Sequence, residues 1–147
     1  MERTRDASAA WRRVVLTGSV LFLAAVLPAK RHDPPRSPPY GVDKAAHAVG
    51  HAAFAVALVD AFGSADRSPG GPILAVFLST GSGVLLEGLQ RWVPGRRFEH
   101  GDVLAGAVGS VLGVSGVRLW RSASISGESR LASLVPSSRR RTTRVSR

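Results

Sequence analysis

The 147-residue chain has no cysteine, so neither a disulfide framework nor a thiolate metal centre is open to it. Acid is scarce too: 10 Asp and Glu stand against 20 Lys and Arg, a formal net charge of +10. In a soluble protein that excess would suggest nucleic acid as a partner. Aromatic residues are only 6% of the chain, however, and no basic stripe with interleaved rings occurs. The stacking platform of single-strand binders is therefore missing, and nucleic acid is not expected as a partner.

What is present is apolar sequence in blocks. Hydrophobic residues make up 44%, segregated into four stretches by Pro, Gly, Ser and Arg, which the mean hydropathy of +0.08 hides. A membrane-spanning helix needs about 20 apolar residues and tolerates about 17. The pattern predicts an all-α, polytopic membrane protein, a bundle of four transmembrane helices over residues 14–120. A basic segment, residues 1–13, precedes it. A Ser- and Arg-rich tail, residues 121–147, follows and is expected to be disordered and attracted to anionic lipid. The basic residues flank the blocks, as expected for membrane orientation.

The first block, residues 14–29, is uncharged and follows Arg12 and Arg13 directly. It reads either as a retained span or as a secretory signal peptide. The small-x-small cleavage pattern is missing, because Leu27 lies two positions before Ala29. Residues 30–40 form a charged loop in which Pro34, Pro35, Pro38 and Pro39 exclude helix. The second block, residues 45–63, is headed by Asp43, His47 and His51, which are spaced four apart and share one helical face. Asp60 lies near its other end, where the interface can hydrate it. The third, residues 72–90, is about 28 Å long as a helix, close to the hydrocarbon thickness, and Pro72 suits its first turn. The last, residues 103–120, carries a small-residue stripe of Gly106, Gly109, Ser110 and Gly113 that lets helix backbones approach closely. Trp11, Trp92 and Trp120 fall at expected helix ends and suit the interface.

Four spans place both termini on one side. Thirteen of the 20 Lys and Arg fall there, which puts both termini in the cytoplasm of a multi-pass cell-membrane protein. Asp43, Lys44, His47, Glu87, Gln90, Arg96 and Asp102 then gather at the extracytoplasmic end. Glu87 lies about 5 Å below that surface, and His47 reaches a comparable depth from the neighbouring helix. An ionisable group inside a span faces a partner or a wet cavity. These seven residues are the candidate ligand-binding set, with His47 and Glu87 as candidate acid/base groups. A pairing of Glu87 with Arg96 or Lys44 that merely locks the helices is the alternative. His47, His51 and Glu87 are a conceivable zinc set, but without a second signature packed histidines are the simpler reading. No metal or other cofactor is expected. Ser79, Thr80 and Ser82 lack the GxSxG elbow and read as hydrogen-bonding or packing residues.

Taken in order, Asp43-Lys44-Ala45-Ala46-His47, then Glu87-x-x-Gln90, then Val93-Pro94-Gly95-Arg96, then Asp102 before a Gly-rich span, resemble the VanZ-like membrane proteins. The resemblance covers about residues 40–116, and the first span agrees with that family's layout. It implies a small polytopic protein of the bacterial cell membrane. The family's founding member lowers sensitivity to teicoplanin-type glycopeptides, and no settled activity comes with the family. The partners implied are membrane lipids and a cell-wall precursor or glycopeptide, and the oligomeric state is open. Two positions depart from the pattern: His51 stands where an aromatic is common, and Gly106 where an Asn often follows Asp102.

Overall fold

In the computed structural model, which describes residues 2–27, 41–62 and 70–134, the third helix wears its large apolar side chains on the outside. This helix, α3 (Gly70–Gln90), follows α1 (Glu2–Val26) and α2 (Val42–Ala61) and precedes α4 (His100–Leu134). Its buried row is Pro72, Ala75, Ser79, Gly83, Glu87 and Gln90, at steps of three and four, so one face of the helix turns inward. That face is small or polar, whereas Ile73, Phe77 and Leu85 point outward, Phe77 with 75% of its surface exposed. In water this distribution would leave extended apolar patches unburied. In hydrocarbon it is the favourable one, because side chains that face lipid need no protein cover.

All four helices are long and apolar enough to cross a membrane, over Asp6–Val26, Val42–Ala61, Gly70–Gln90 and His100–Ser124. No strand occurs among the described residues. The chain is thus an all-helical, multi-pass membrane protein.

Both outer boundaries differ from expectation. The first helix starts at Glu2 and its apolar span at Asp6, well before residue 14. The stretch before Val14 is rich in Ala and Arg, both good helix formers, and holds no Gly or Pro. The last helix does not stop at Trp120 but runs on to Leu134, so the expected disorder does not begin at residue 121. No proline intervenes before Pro136, and the serines are absorbed into the helix. Ser122, Ser124 and Ser126 donate to the carbonyls of Arg118, Trp120 and Ser122, four residues back. The proline-rich loop, the second connection and the end of the tail lie outside the described residues.

The second helix is central and packs against the other three, most extensively against α4. Glycine permits that crossing. A Cβ on Gly109 would stand 2.0 Å from the Ala48 carbonyl oxygen, and one on Gly113 would stand 2.8 Å from that of Ala52. An apolar cluster of Ala55, Leu58, Val59, Ala75 and Val114 fills the space between α2, α3 and α4. Asp60 marks one end of the bundle. Its Oδ2 accepts from Arg13 at 2.8 Å and its Oδ1 from Arg121 at 2.5 Å. The start of α1 and the later part of α4 therefore lie at the same end, where two guanidinium groups hold Asp60.

Candidate functional site

At the other end, the close of α1, the start of α2, the close of α3 and the start of α4 converge around a cavity of about 130 Å³. Leu21, Ala24 and Ala25 supply an apolar wall from α1. The polar lining comes from Asp43, His47 and His51 on α2, Glu87 and Gln90 on α3, Arg96 in the connection, and Asp102 on α4.

Glu87 and Gln90 are both buried in the last turn of α3. Glu87, only 2% exposed, accepts the backbone N–H of Glu99 on Oε2 at 3.2 Å. Its Oε1 has no hydrogen-bond partner among the described residues. After α3 the chain turns at Gly95, whose φ of 84° lies in the left-handed region that glycine enters without penalty. That turn carries Arg96 back over the bundle, where a terminal nitrogen donates to the Ala24 carbonyl at 2.9 Å. Arg96 Nε is buried and likewise has no partner among the described residues. An unmade hydrogen bond to a buried polar atom costs about 1–3 kcal/mol, so two in one cavity is a concentrated deficit.

Lys44 has no free charge for an anion. Its Nζ lies 2.9 Å from Asp102 Oδ1 and 3.2 Å from Glu99. Asp43 and Asp102 sit inside the first turns of α2 and α4, where the helix dipole favours a carboxylate. Neither is an N-cap in the strict sense: the cap of α2 is Gly41, with no side-chain bond, and Asp102 directs its oxygens to Lys44 and His47. His47 Nε2 stands 3.5 Å from Asp102 Oδ2 and 3.9 Å from Asp43 Oδ1. Arg91 lies just past the end of α3 and is exposed.

The zinc set of His47, His51 and Glu87 is not assembled. His51 turns inward into a buried polar layer, with Nδ1 3.2 Å from Ser79 Oγ. Ser79 donates to the His51 carbonyl at 3.1 Å and lies 2.9 Å from Ser110 Oγ. Since that hydroxyl gives its proton to the carbonyl, the ring donates through Nδ1–H. Its imidazole occupies a slot between two glycines. A Cβ on Gly106 would lie 2.7 Å from the ring, and one on Gly83 would lie 3.1 Å away. Gly106 therefore makes room for a side chain, whereas Gly109 and Gly113 make room for a backbone.

Sequence reading missed Glu99, which bridges Glu87 and Lys44, and the layer of His51, Ser79 and Ser110. It also missed the grip of Arg13 and Arg121 on Asp60. Only the four-residue spacing of His47 and His51 hinted at the second of these. The other pairings cross between helices and leave no local signal.

Fold and site together define a four-helix, multi-pass membrane protein with a small, polar, largely self-paired cavity at one end. No family model, no curated protein and no solved structure matches the chain.

Proposed function

We propose that this is a VanZ-like protein of the bacterial cell envelope whose cavity binds the polar head of a surface component. The observation that carries the reading is the pair of buried atoms of opposite preference, Glu87 Oε1 and Arg96 Nε, that line one cavity and have no partner among the described residues. A head group with an anionic oxygen for the Arg96 donor and a donor for the Glu87 acceptor would satisfy both. Gln90 adds an amide that can serve either. The cavity, about 130 Å³ and open on one side, suits a chain terminus or a small head group. A cell-wall precursor offers such a group whole, whereas a glycopeptide could enter only in part, which favours the precursor as the ligand in any teicoplanin-type resistance. The excess of Lys and Arg near the termini favours both termini in the cytoplasm and the cavity facing outward.

The test is thermal unfolding of the purified protein in lipid nanodiscs with added lipid-linked cell-wall precursor. Wild type is expected to be stabilised, while Glu87→Gln and Arg96→Ala remain folded and gain nothing. Equal stabilisation of all three proteins would refute the reading. A second reading, a membrane enzyme acting on a lipid-linked substrate, rests on His47 and Glu87 lining the same cavity. It requires turnover that is lost in His47→Gln, and binding without turnover excludes it.

A further inference from the structure

His47 stands between two carboxylates without closing on either. Its Nε2 faces two carboxylate oxygens, at 3.5 Å and 3.9 Å. Hydrogen bonds of this kind run at about 2.7–3.2 Å, so neither contact is a good one. Asp43, His47 and Asp102 each offer one donor atom, and all three atoms lie within 4.8 Å of one another. We propose that these three residues bind one divalent transition-metal ion, of the zinc or manganese type, on the wall of the cavity.

Geometry supports it first. In a tetrahedral site with ligand bonds of about 2.0–2.2 Å, neighbouring donor atoms stand roughly 3.4 Å apart. The His47–Asp102 edge already has that length, and Asp43, whose side chain is 61% exposed, is free to swing inward. The sequence supplies the pair on α2, since Asp43 and His47 are one turn apart on one face. Asp102 meets them from the first turn of α4 with its two oxygens divided: Oδ1 is held by Lys44 and Oδ2 is turned to His47. Such a charged partner behind a metal-binding carboxylate fixes its orientation.

Charge and the open side agree. Asp43, Asp102 and Glu99 set against Lys44 leave two negative charges, which balance a divalent cation, and the mixed oxygen and nitrogen donors suit zinc or manganese better than magnesium. Three protein ligands leave a coordination position open, as in sites that hold water or an exchangeable ligand. Independent of the three, Glu87 lines the same cavity, is 2% exposed, and carries an Oε1 without a partner among the described residues. It lies within electrostatic reach of both Asp102 and His47. A metal-bound water supplies the donor which that oxygen lacks. If the cavity also takes an anionic head group, the ion and Arg96 would grip it from two sides.

The test uses the full chain, purified through a tag without histidine, in nanodiscs and with no precursor added, so its outcome is separate from that of the head-group assay. Zinc alone is titrated against a competing chelator. Wild type is expected to bind one equivalent, with affinity falling about 100-fold in His47→Gln and at least tenfold in Asp43→Asn. Cobalt in place of zinc is expected to give the intense visible bands of four- or five-coordinate ions in wild type and to lose them in His47→Gln. Both substituted residues are partly exposed, and size-exclusion chromatography checks their folding. Zinc affinity equal in wild type and His47→Gln, or the pale spectrum of hydrated cobalt in wild type, would overturn the proposal.

Discussion

Replacing Gly109 by alanine is expected to be the most damaging single-methyl change along the glycine stripe of α4. The added Cβ would stand 2.0 Å from the Ala48 carbonyl oxygen, 2.6 Å from its carbonyl carbon and 2.7 Å from its Cα. All three atoms are backbone, so no rotamer change relieves the contact. To bring the first distance to even 3.0 Å, α2 and α4 must part by about 1 Å. A gap of that size forfeits a quarter to a half of each dispersion contact along the most extensive helix pairing in the molecule. Ordinary overpacking costs about 1–3 kcal/mol. A backbone-on-backbone clash belongs at the upper end, so the expected loss is about 3 kcal/mol, roughly a 100-fold fall in the folded-to-unfolded ratio. Gly113→Ala meets Ala52 at 2.8–3.0 Å and is expected to cost about half as much. Gly116→Ala, with nothing within 4 Å of its added Cβ, is expected to be neutral or to gain up to about 1 kcal/mol from better helix propensity. Reversible unfolding in mixed micelles, read by circular dichroism, ranks the three. Should Gly109→Ala unfold with the same midpoint as Gly116→Ala, the close crossing of α2 and α4 is wrong.

Asp60→Ala removes the acceptor for both Arg13 and Arg121. Those arginines are partly exposed, so a loss of about 1–2 kcal/mol is expected. Unfolding of the single variant alongside Arg13→Ala and Arg121→Ala checks it, and an unchanged midpoint in Asp60→Ala would count against the clamp. His51→Ala empties the slot beside Gly83 and Gly106 and leaves Ser79 without its ring partner, for an expected loss of about 3 kcal/mol. His51→Phe keeps the bulk but not the donor, and if it unfolds like wild type the polar layer contributes nothing. In cells lacking the protein, wild type is expected to lower glycopeptide susceptibility more than Glu87→Gln does at matched membrane abundance. Equal protection by both would detach Glu87 from that phenotype.

The helices were legible because the signal for a membrane span is a mean over about 20 residues, and no packing detail can reverse it. Their ends were less so. Helix α1 begins earlier and α4 ends later than the apolar blocks, because hydropathy marks where a chain enters lipid and not where its hydrogen bonding stops. Candidate residues separated in the same way. Asp43 and His47 are one turn apart on one helix, so their proximity is a property of the sequence. Asp102 beside Lys44, Glu99 beside Glu87 and Arg96 on the Ala24 carbonyl join segments far apart in the chain, and only the fold supplies those pairings. Lys44 shows the consequence: it read as a free cation for a ligand, and its charge is already taken by two carboxylates.

The two ends of the bundle solve the same problem in different ways. An ionised group in or near hydrocarbon must be compensated. At the Asp60 end compensation is complete, with each carboxylate oxygen held by its own arginine. Nothing there is left over, and the arrangement suits a fastener. At the opposite end two buried atoms, Glu87 Oε1 and Arg96 Nε, have no partner among the described residues, and both side chains border the cavity. A bundle that needed only to be locked would do better with apolar residues there, since a half-satisfied polar cluster is worse than none. Among the described residues those two atoms stay unmet, and that opening is what the proposed ligands would fill. The proposed cation between Asp43, His47 and Asp102 and the proposed head group between Glu87 and Arg96 would fill it from two sides.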